Sequence, residues 1–183
     1  MSSLILVGGG VRSGKSTFAL ARARALGPRR AFLATAHALD DEMRSRVLAH
    51  VKERGTAFRT IEAPFDLADA IAALSDVDVA VVDCLTHWLS NLLTRGDDDG
   101  HIESSVAFLL RALDTCHFPV VIVTNEVGMG VVPESALGRR FRDIVGRTHQ
   151  LVAARASEIY FAAMGCIIRL RPPPVALEDA GVA

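Results

Sequence analysis

Leu4-Ile5-Leu6-Val7-Gly8-Gly9-Gly10-Val11-Arg12-Ser13-Gly14-Lys15-Ser16-Thr17 is the stretch that decides the fold of this chain. Within it Gly9 to Ser16 satisfies G-x-x-x-x-G-K-[ST], the phosphate-binding loop or P-loop. The apolar run Leu4 to Val7 reads as a buried strand, and Thr17 to Ala25 reads as a helix. Strand, glycine-rich loop and helix in that order give the pattern its chemistry. Gly9, Gly10, Val11, Arg12, Ser13 and Gly14 present backbone N–H groups to phosphate oxygens, and the positive end of the helix faces the same anion. Lys15 is placed to reach the terminal phosphates as a catalytic cation, and Ser16 to ligate Mg²⁺. The chain is expected to bind a nucleoside triphosphate.

Working outward, the 183 residues fit one domain, large enough to bury roughly 70% of the surface that the unfolded chain exposes. The apolar runs are all shorter than the roughly 20 residues of a membrane span, and the N-terminus carries no basic leader segment, so a cytoplasmic location without a membrane span is expected. A formal net charge of −1 argues against nucleic acid as a partner. Cys84, Cys116 and Cys166 match neither a zinc pattern nor a disulfide framework, and they read as small core residues.

Past the P-loop helix, strands and helices alternate: strand Ala31 to Ala34, helix Asp41 to Arg54, strand Phe58 to Ile61, helix Leu67 to Leu74 and strand Val77 to Val82. A helix starting after Cys84 and ending near Arg95 follows, then an acidic solvated turn over Gly96-Asp97-Asp98-Asp99-Gly100 and a helix from His101 to about Thr115. Val120 to Thr124 is the next buried strand, and Pro133 suits the first turn of a long helix ending near Ala156. Ile159 to Ala162 and Ile167 to Leu170 flank Met164-Gly165 and read as a closing hairpin. The pattern predicts an α/β, P-loop NTPase-like fold whose mostly parallel central sheet is flanked by helices and ends in an antiparallel edge hairpin. One catalytic domain is expected over 1–171, and a weakly ordered tail, rich in proline at Pro172 to Pro174, over 172–183.

Asp83, at the end of a strand downstream of a P-loop, has the placement of a Mg²⁺-holding carboxylate. Thr124-Asn125-Glu126-Val127-Gly128-Met129-Gly130 ends the next such strand and should line the same crevice. Because Glu126 follows Asn125, the Asn-Lys-x-Asp guanine-reading element of switch GTPases is missing. In the helix Asp41 to Arg54, Met43, Val47, Leu48 and Val51 form the apolar stripe, and His50 lies at its edge with Arg46 and Arg54 one turn away on either side. Two readings of His50 stand side by side: a half-exposed helical histidine beside solvated arginines, or a nucleophile whose neutral imidazole attacks a nucleotide α-phosphorus.

Taken together, Gly9 to Ser16, Ala34-Thr35-Ala36, Asp40-Asp41-Glu42-Met43, Arg46-Val47-x-x-His50, Thr60-x-Glu62, Asp83-Cys84-Leu85-Thr86-x-Trp88-x-x-Asn91-Leu92-Leu93 and Val123-Thr124-Asn125-Glu126-Val127-Gly128-x-Gly130 resemble the bifunctional adenosylcobinamide kinase / adenosylcobinamide-phosphate guanylyltransferase family. The likeness runs from about Leu4 to Leu170. It departs from the common family pattern where Arg54-Gly55 and Phe58 replace Arg-Pro with a following Trp, and where Val51 rather than a basic residue follows His50.

The resemblance implies two steps of cobalamin nucleotide-loop assembly. Adenosylcobinamide takes the γ-phosphoryl group of ATP or GTP, and its phosphate then takes GMP from GTP with release of pyrophosphate. It implies that the guanylyl group rides on His50, that Lys15 is catalytic, and that the nucleotide contacts Gly9 to Ser16, Ala34, Thr35, Ala36, Val51, Lys52, Glu53, Arg54, Glu62 and Asp83. Ser16 and Asp83 would hold Mg²⁺. A homotrimer with its active site near a subunit boundary is implied as well. The alternatives are a monofunctional small-molecule P-loop kinase with a structural His50, and a nucleotide-responsive regulator without turnover.

Overall fold

The computed structural model describes residues 3–36 and 55–172. In chain order these form β1 (Leu4–Gly9), α1 (Lys15–Leu26), β2 (Arg30–Ala34), a 3-10 turn (Gly55–Ala57), β3 (Arg59–Glu62), α2 (Leu67–Ala72), β4 (Val79–Asp83), α3 (Leu85–Arg95), α4 (Asp99–Thr115), β5 (Val120–Asn125), α5 (Ala136–Arg155), β6 (Glu158–Ala163) and β7 (Cys166–Arg171). The strands build one sheet in the order β3-β2-β4-β5-β1-β6-β7, parallel throughout except for the antiparallel β6–β7 pair. This is the expected α/β architecture with its edge hairpin. The helix expected over Asp41 to Arg54 and the tail beyond Pro172 lie outside the described residues.

The pleat sorts the apolar runs into two cores. Leu4, Leu6, Leu33, Ala80, Val82, Val120 and Ile122 point to one face, where they meet residues of α2, α3, α4 and α5. Ile5, Val7, Phe32, Val79, Val81, Val121 and Val123 point to the other, against Ala19, Leu20 and Ala23 of α1. Burial on both faces is why these strands read as continuous hydrophobic runs instead of alternating ones.

Leu85, Trp88, Leu89 and Leu92 repeat at helical spacing and bury one side of α3. Gly96, with φ of 101°, ends that helix in the left-handed region, and Gly96 N–H and Asp97 N–H donate to Leu93 O and Leu92 O. The acidic run is largely solvent-exposed, as expected, and its carboxylates also make local caps and pairs. Asp97 accepts from Arg95, Asp98 caps α4 by accepting from His101 N–H at 2.8 Å, and Asp99, the first residue of α4, pairs with Arg140 at 2.7 Å.

Two expectations are corrected. Pro133 is not in the first turn of α5: Ser135 caps that helix through Gly138 N–H at 3.1 Å, and the Pro133 carbonyl instead accepts from Arg139. A serine hydroxyl satisfies an orphan N–H that proline can only avoid, so the cap sets the boundary. The cysteines also differ from one another. Cys84 is buried, Cys116 half-buried, and Cys166 exposed on the edge strand β7, where little packs over it.

Trp88 is 1% exposed, and its indole N–H donates to Phe65 O at 2.7 Å, tying α3 to the β3–α2 connection. Trp88→Ala is expected to destabilise the protein by about 3–5 kcal/mol in urea unfolding. Trp88→Phe, which keeps most of the volume and loses the donor, should cost about 1–3 kcal/mol.

Candidate active site

The P-loop leaves the sheet at Gly9 and enters α1 at Lys15. A Cβ on Gly9 would stand 2.4 Å from Ala162 O and 2.8 Å from Ser13 Oγ, and its φ of 155° is one that residues with side chains rarely adopt. Gly14, the residue before α1, has φ of 94°, and Arg12 holds φ of 53°, so the loop reverses direction through two left-handed residues. The turn of the β6–β7 hairpin closes over it, with Gly165 N–H donating to Ser13 O at 3.1 Å. Met164 and Gly165 both take positive φ, as a two-residue hairpin turn requires.

Lys15 is 8% exposed, and its ammonium donates to Gly10 O at 2.9 Å, back into its own loop. Burial pushes its pKa below the ordinary lysine value, while the negative charge of Asp83 acts in the opposite direction, as that of an ionised Cys84 would. Cys84 is itself held neutral, its pKa pushed up to about 12 by burial and then by Asp83. The thiol is therefore a packing group, and Asp83 is the charge that Lys15 feels at neutral pH.

Five strand ends form the crevice around this loop. Gly9 is level with Asn125, Asp83 with Val123 and Ala34, and Ala34 with Glu62. Polar side chains pin these ends together. Thr35 Oγ1 donates to Cys84 O at 2.7 Å, and the buried Asn91 amide donates to both Thr35 O and Pro64 O at 2.8 Å. Thr86 Oγ1 accepts from Asn125 N–H at 2.7 Å, and Glu126 N–H donates to Gly9 O at 3.0 Å. The Glu126 carboxylate is occupied by its own loop, accepting from Gly128 N–H at 2.8 Å and Met129 N–H at 3.1 Å.

The candidate residues Gly9 to Ser16, Ala34, Thr35, Ala36 and Asp83 thus share one edge of the sheet, with Thr35 buried and Ala36 beside it. Glu62 shares that edge at its far end. Four strand spacings separate it from Gly9, which at about 4.8 Å each puts it about 19 Å from the phosphate loop. His50, Val51, Lys52, Glu53 and Arg54 lie outside the described residues. Ser16 and Asp83 supply hard oxygen donors of the kind Mg²⁺ takes when the nucleotide's phosphates and water complete its shell. Among the described residues no group of three or more His, Cys, Asp or Glu side chains is placed to hold a metal ion. Sequence reasoning did not assign the Gly165 contact to the loop or the Thr86 contact to Asn125, since both join positions remote in sequence.

The family model described as cobinamide kinase / cobinamide phosphate guanyltransferase matches residues 5–170. The bifunctional adenosylcobalamin biosynthesis protein CobU of Salmonella typhimurium is 38% identical over 181 residues, covering 92% of this chain and 99% of that protein. The bifunctional adenosylcobalamin biosynthesis protein CobP of Pseudomonas aeruginosa is 38% identical over 176 residues, covering 96% and 100%. In fold alone, the crystal structure of the flagellar accessory protein FlaH from Methanocaldococcus jannaschii is similar, with a TM-score of 0.51 at 12% identity, over 92% of this chain and 78% of that one.

Because the atom that a Gly9 side chain would strike is the backbone oxygen of a paired strand, relief requires parting β1 from β6. Gly9→Ala is expected to lower the melting temperature and to weaken GTP binding by at least about tenfold in calorimetry, a loss of about 1.4 kcal/mol.

Proposed function

The chain belongs to the cobinamide kinase / cobinamide phosphate guanyltransferase family, and from that membership we propose how its two group transfers are divided among its residues. It is a bifunctional enzyme of cobalamin biosynthesis, and the two reactions need different machinery. In the kinase step the primary alcohol of adenosylcobinamide attacks the γ-phosphorus of ATP or GTP, the bond from that phosphorus to the β,γ-bridging oxygen breaks, and the nucleoside diphosphate leaves. The alcohol proton passes to solvent. Lys15 stabilises charge on the β- and γ-phosphates, and the N–H groups from Gly9 to Ser16 orient them. Ser16 and Asp83 would hold Mg²⁺, which when bound neutralises phosphate charge.

In the guanylyl step an imidazole nitrogen of His50 attacks the α-phosphorus of GTP, and the bond to the α,β-bridging oxygen breaks with release of pyrophosphate. A phosphate oxygen of adenosylcobinamide phosphate then attacks the same phosphorus, the P–N bond breaks, and adenosylcobinamide-GDP leaves with His50 restored. Ala34, Thr35, Ala36, Val51 to Arg54, Glu62 and Asp83 would contact the nucleotide. The observation that carries this reading is a buried Lys15, coupled to Asp83, inside a P-loop at the carboxyl edge of a sheet whose chain matches the family from residue 5 to residue 170. A homotrimer belongs to the proposal, and the exposed Met129, Val131 and Val132 offer apolar surface for subunit contact.

His50→Asn keeps the approximate size of the ring without a nucleophilic nitrogen. The variant should retain the kinase step and lose guanylyl transfer to background. GTP labelled at the α-phosphate should leave alkali-stable, acid-labile label on the wild type and none on the variant, while γ-labelled GTP labels neither. Label persisting on the variant would move the nucleophile to another residue, with His37 and His87 next to test.

Lys15→Ala should abolish adenosylcobinamide phosphorylation. A wild-type rate in that variant would remove the P-loop as the kinase site. Light scattering is expected to give three times the chain mass, and a single-chain mass would remove the trimer.

A further inference from the structure

β5 lies between the P-loop strand β1 and the Asp83 strand β4, so whatever seats its carboxyl end sets the spacing between the phosphate loop and the acidic edge. Beyond the two strand ladders, a line of hydroxyls fastens this end to α3 and α5. Asn125 N–H donates to Thr86 Oγ1 at 2.7 Å, Thr86 Oγ1 lies 2.9 Å from Thr124 Oγ1, and Thr124 Oγ1 lies 2.6 Å from Nε2 of His149 on α5. Thr86 and Thr124 are 5% and 2% exposed, which leaves no solvent to replace a lost partner.

Hydrogen-bond lengths favour one direction of the line, because the reverse order, from Nε2–H through Thr124 and Thr86, would end on the longer Asn125 O contact at 3.4 Å. Each threonine hydroxyl has one proton to give. Thr86 Oγ1 already accepts from Asn125 N–H, and its proton has a better acceptor in Thr124 Oγ1 at 2.9 Å than in Asn125 O at 3.4 Å. Thr124 then accepts from Thr86, and its own proton goes to His149 Nε2. In this direction Nε2 is the acceptor and carries no proton, and the ring is neutral with its proton on Nδ1. Burial supports the neutral ring by lowering the His149 pKa, and the charge acting against burial is the Glu126 carboxylate after β5.

We propose that His149 is a positioning residue for the phosphoryl-transfer step: its bare Nε2, acting through Thr124 and Thr86, orders the hydroxyl line that seats Asn125 between the phosphate loop and Asp83. The proposal rests on the P-loop being the kinase site. If the acceptor is removed, the Thr124 proton has nowhere to go but back toward Thr86, whose proton must then turn to the longer Asn125 O contact. Asn125 N–H keeps Thr86 Oγ1 as its acceptor and β5 keeps its ladders, but the Thr86 hydroxyl turns toward the 3.4 Å Asn125 O contact and shifts the end of β5 slightly, so the nucleotide still binds to a loop held less closely in the transferring geometry.

The test pairs His149→Leu, which fills the space without an acceptor, with His149→Gln, whose amide oxygen can stand where Nε2 stands. Leu should lower the kinase kcat by at least about tenfold with nucleotide KM changed by less than about threefold, and Gln should restore kcat to within about threefold of wild type. Nitrogen-15 NMR of the ring in the wild-type enzyme should show Nδ1–H with bare Nε2, and Thr124→Val should shift that tautomer balance. A protonated Nε2 in the wild type, a wild-type kcat in His149→Leu, or equal losses in Leu and Gln would each overturn the proposal. A fully active Lys15→Ala would overturn the P-loop reading instead, and leaves the tautomer result standing, so the two failures are distinguishable.

Discussion

Hydrogen bonding of β5 along both of its edges is the constraint on which the crevice depends. Paired with β1 on one side and β4 on the other, and buried on both faces, β5 cannot slip by one residue without breaking two ladders and turning its side chains into the opposite cores. Its register therefore dictates where Gly9 and Asp83 stand relative to each other. A phosphate loop and an acidic residue drawn from distant parts of the chain meet at a fixed separation because a third strand spaces them. The side chains that bond across the strand ends, Thr35, Thr86 and Asn91, then lock the loops leaving the sheet.

Burying an ammonium carries an electrostatic cost, and Lys15 offsets part of it with the neutral carbonyl of Gly10. Lys15 donates to a neutral carbonyl of its own loop and feels the charge of Asp83, and a triphosphate oxygen is a stronger acceptor for it than that carbonyl. Keeping Cys84 neutral matters in the same balance, since a thiolate beside Lys15 would compete with phosphate for that charge.

Local chemistry was legible in the sequence and long-range geometry was not. The spacing from Gly9 to Ser16 encodes a loop closed within a few residues, and Asp83 follows a strand with a clear apolar run, so both stand out as candidates without knowledge of the sheet order. The parallel sheet and its edge hairpin followed from alternation and from Met164-Gly165. Pro133 misled because proline is favoured at a helix start, yet Ser135 two residues on supplied a hydrogen bond and took the boundary. Cys166 misled because apolar neighbours in sequence do not imply burial on an edge strand. The order β4-β5-β1, which brings Thr86, Thr124 and Asn125 to one point, depends on pairings between segments that carry no mutual signal in a single chain. The role proposed for His50 rests on the resemblance to a family, since its place in the sequence alone fits a solvated histidine equally well.

The bond from Gly165 N–H to Ser13 O joins the last hairpin of the sheet to the first loop of the chain. A backbone amide held in this way exchanges its hydrogen with solvent only when the bond opens, so the exchange rate at Gly165 is a gauge of how often the phosphate loop departs from its closed shape. A nucleotide that binds the closed loop alone slows that exchange by the factor its concentration and affinity set. A hairpin remote in sequence from the loop thereby carries a running measure of the loop's occupancy, with no chemical label on the site itself.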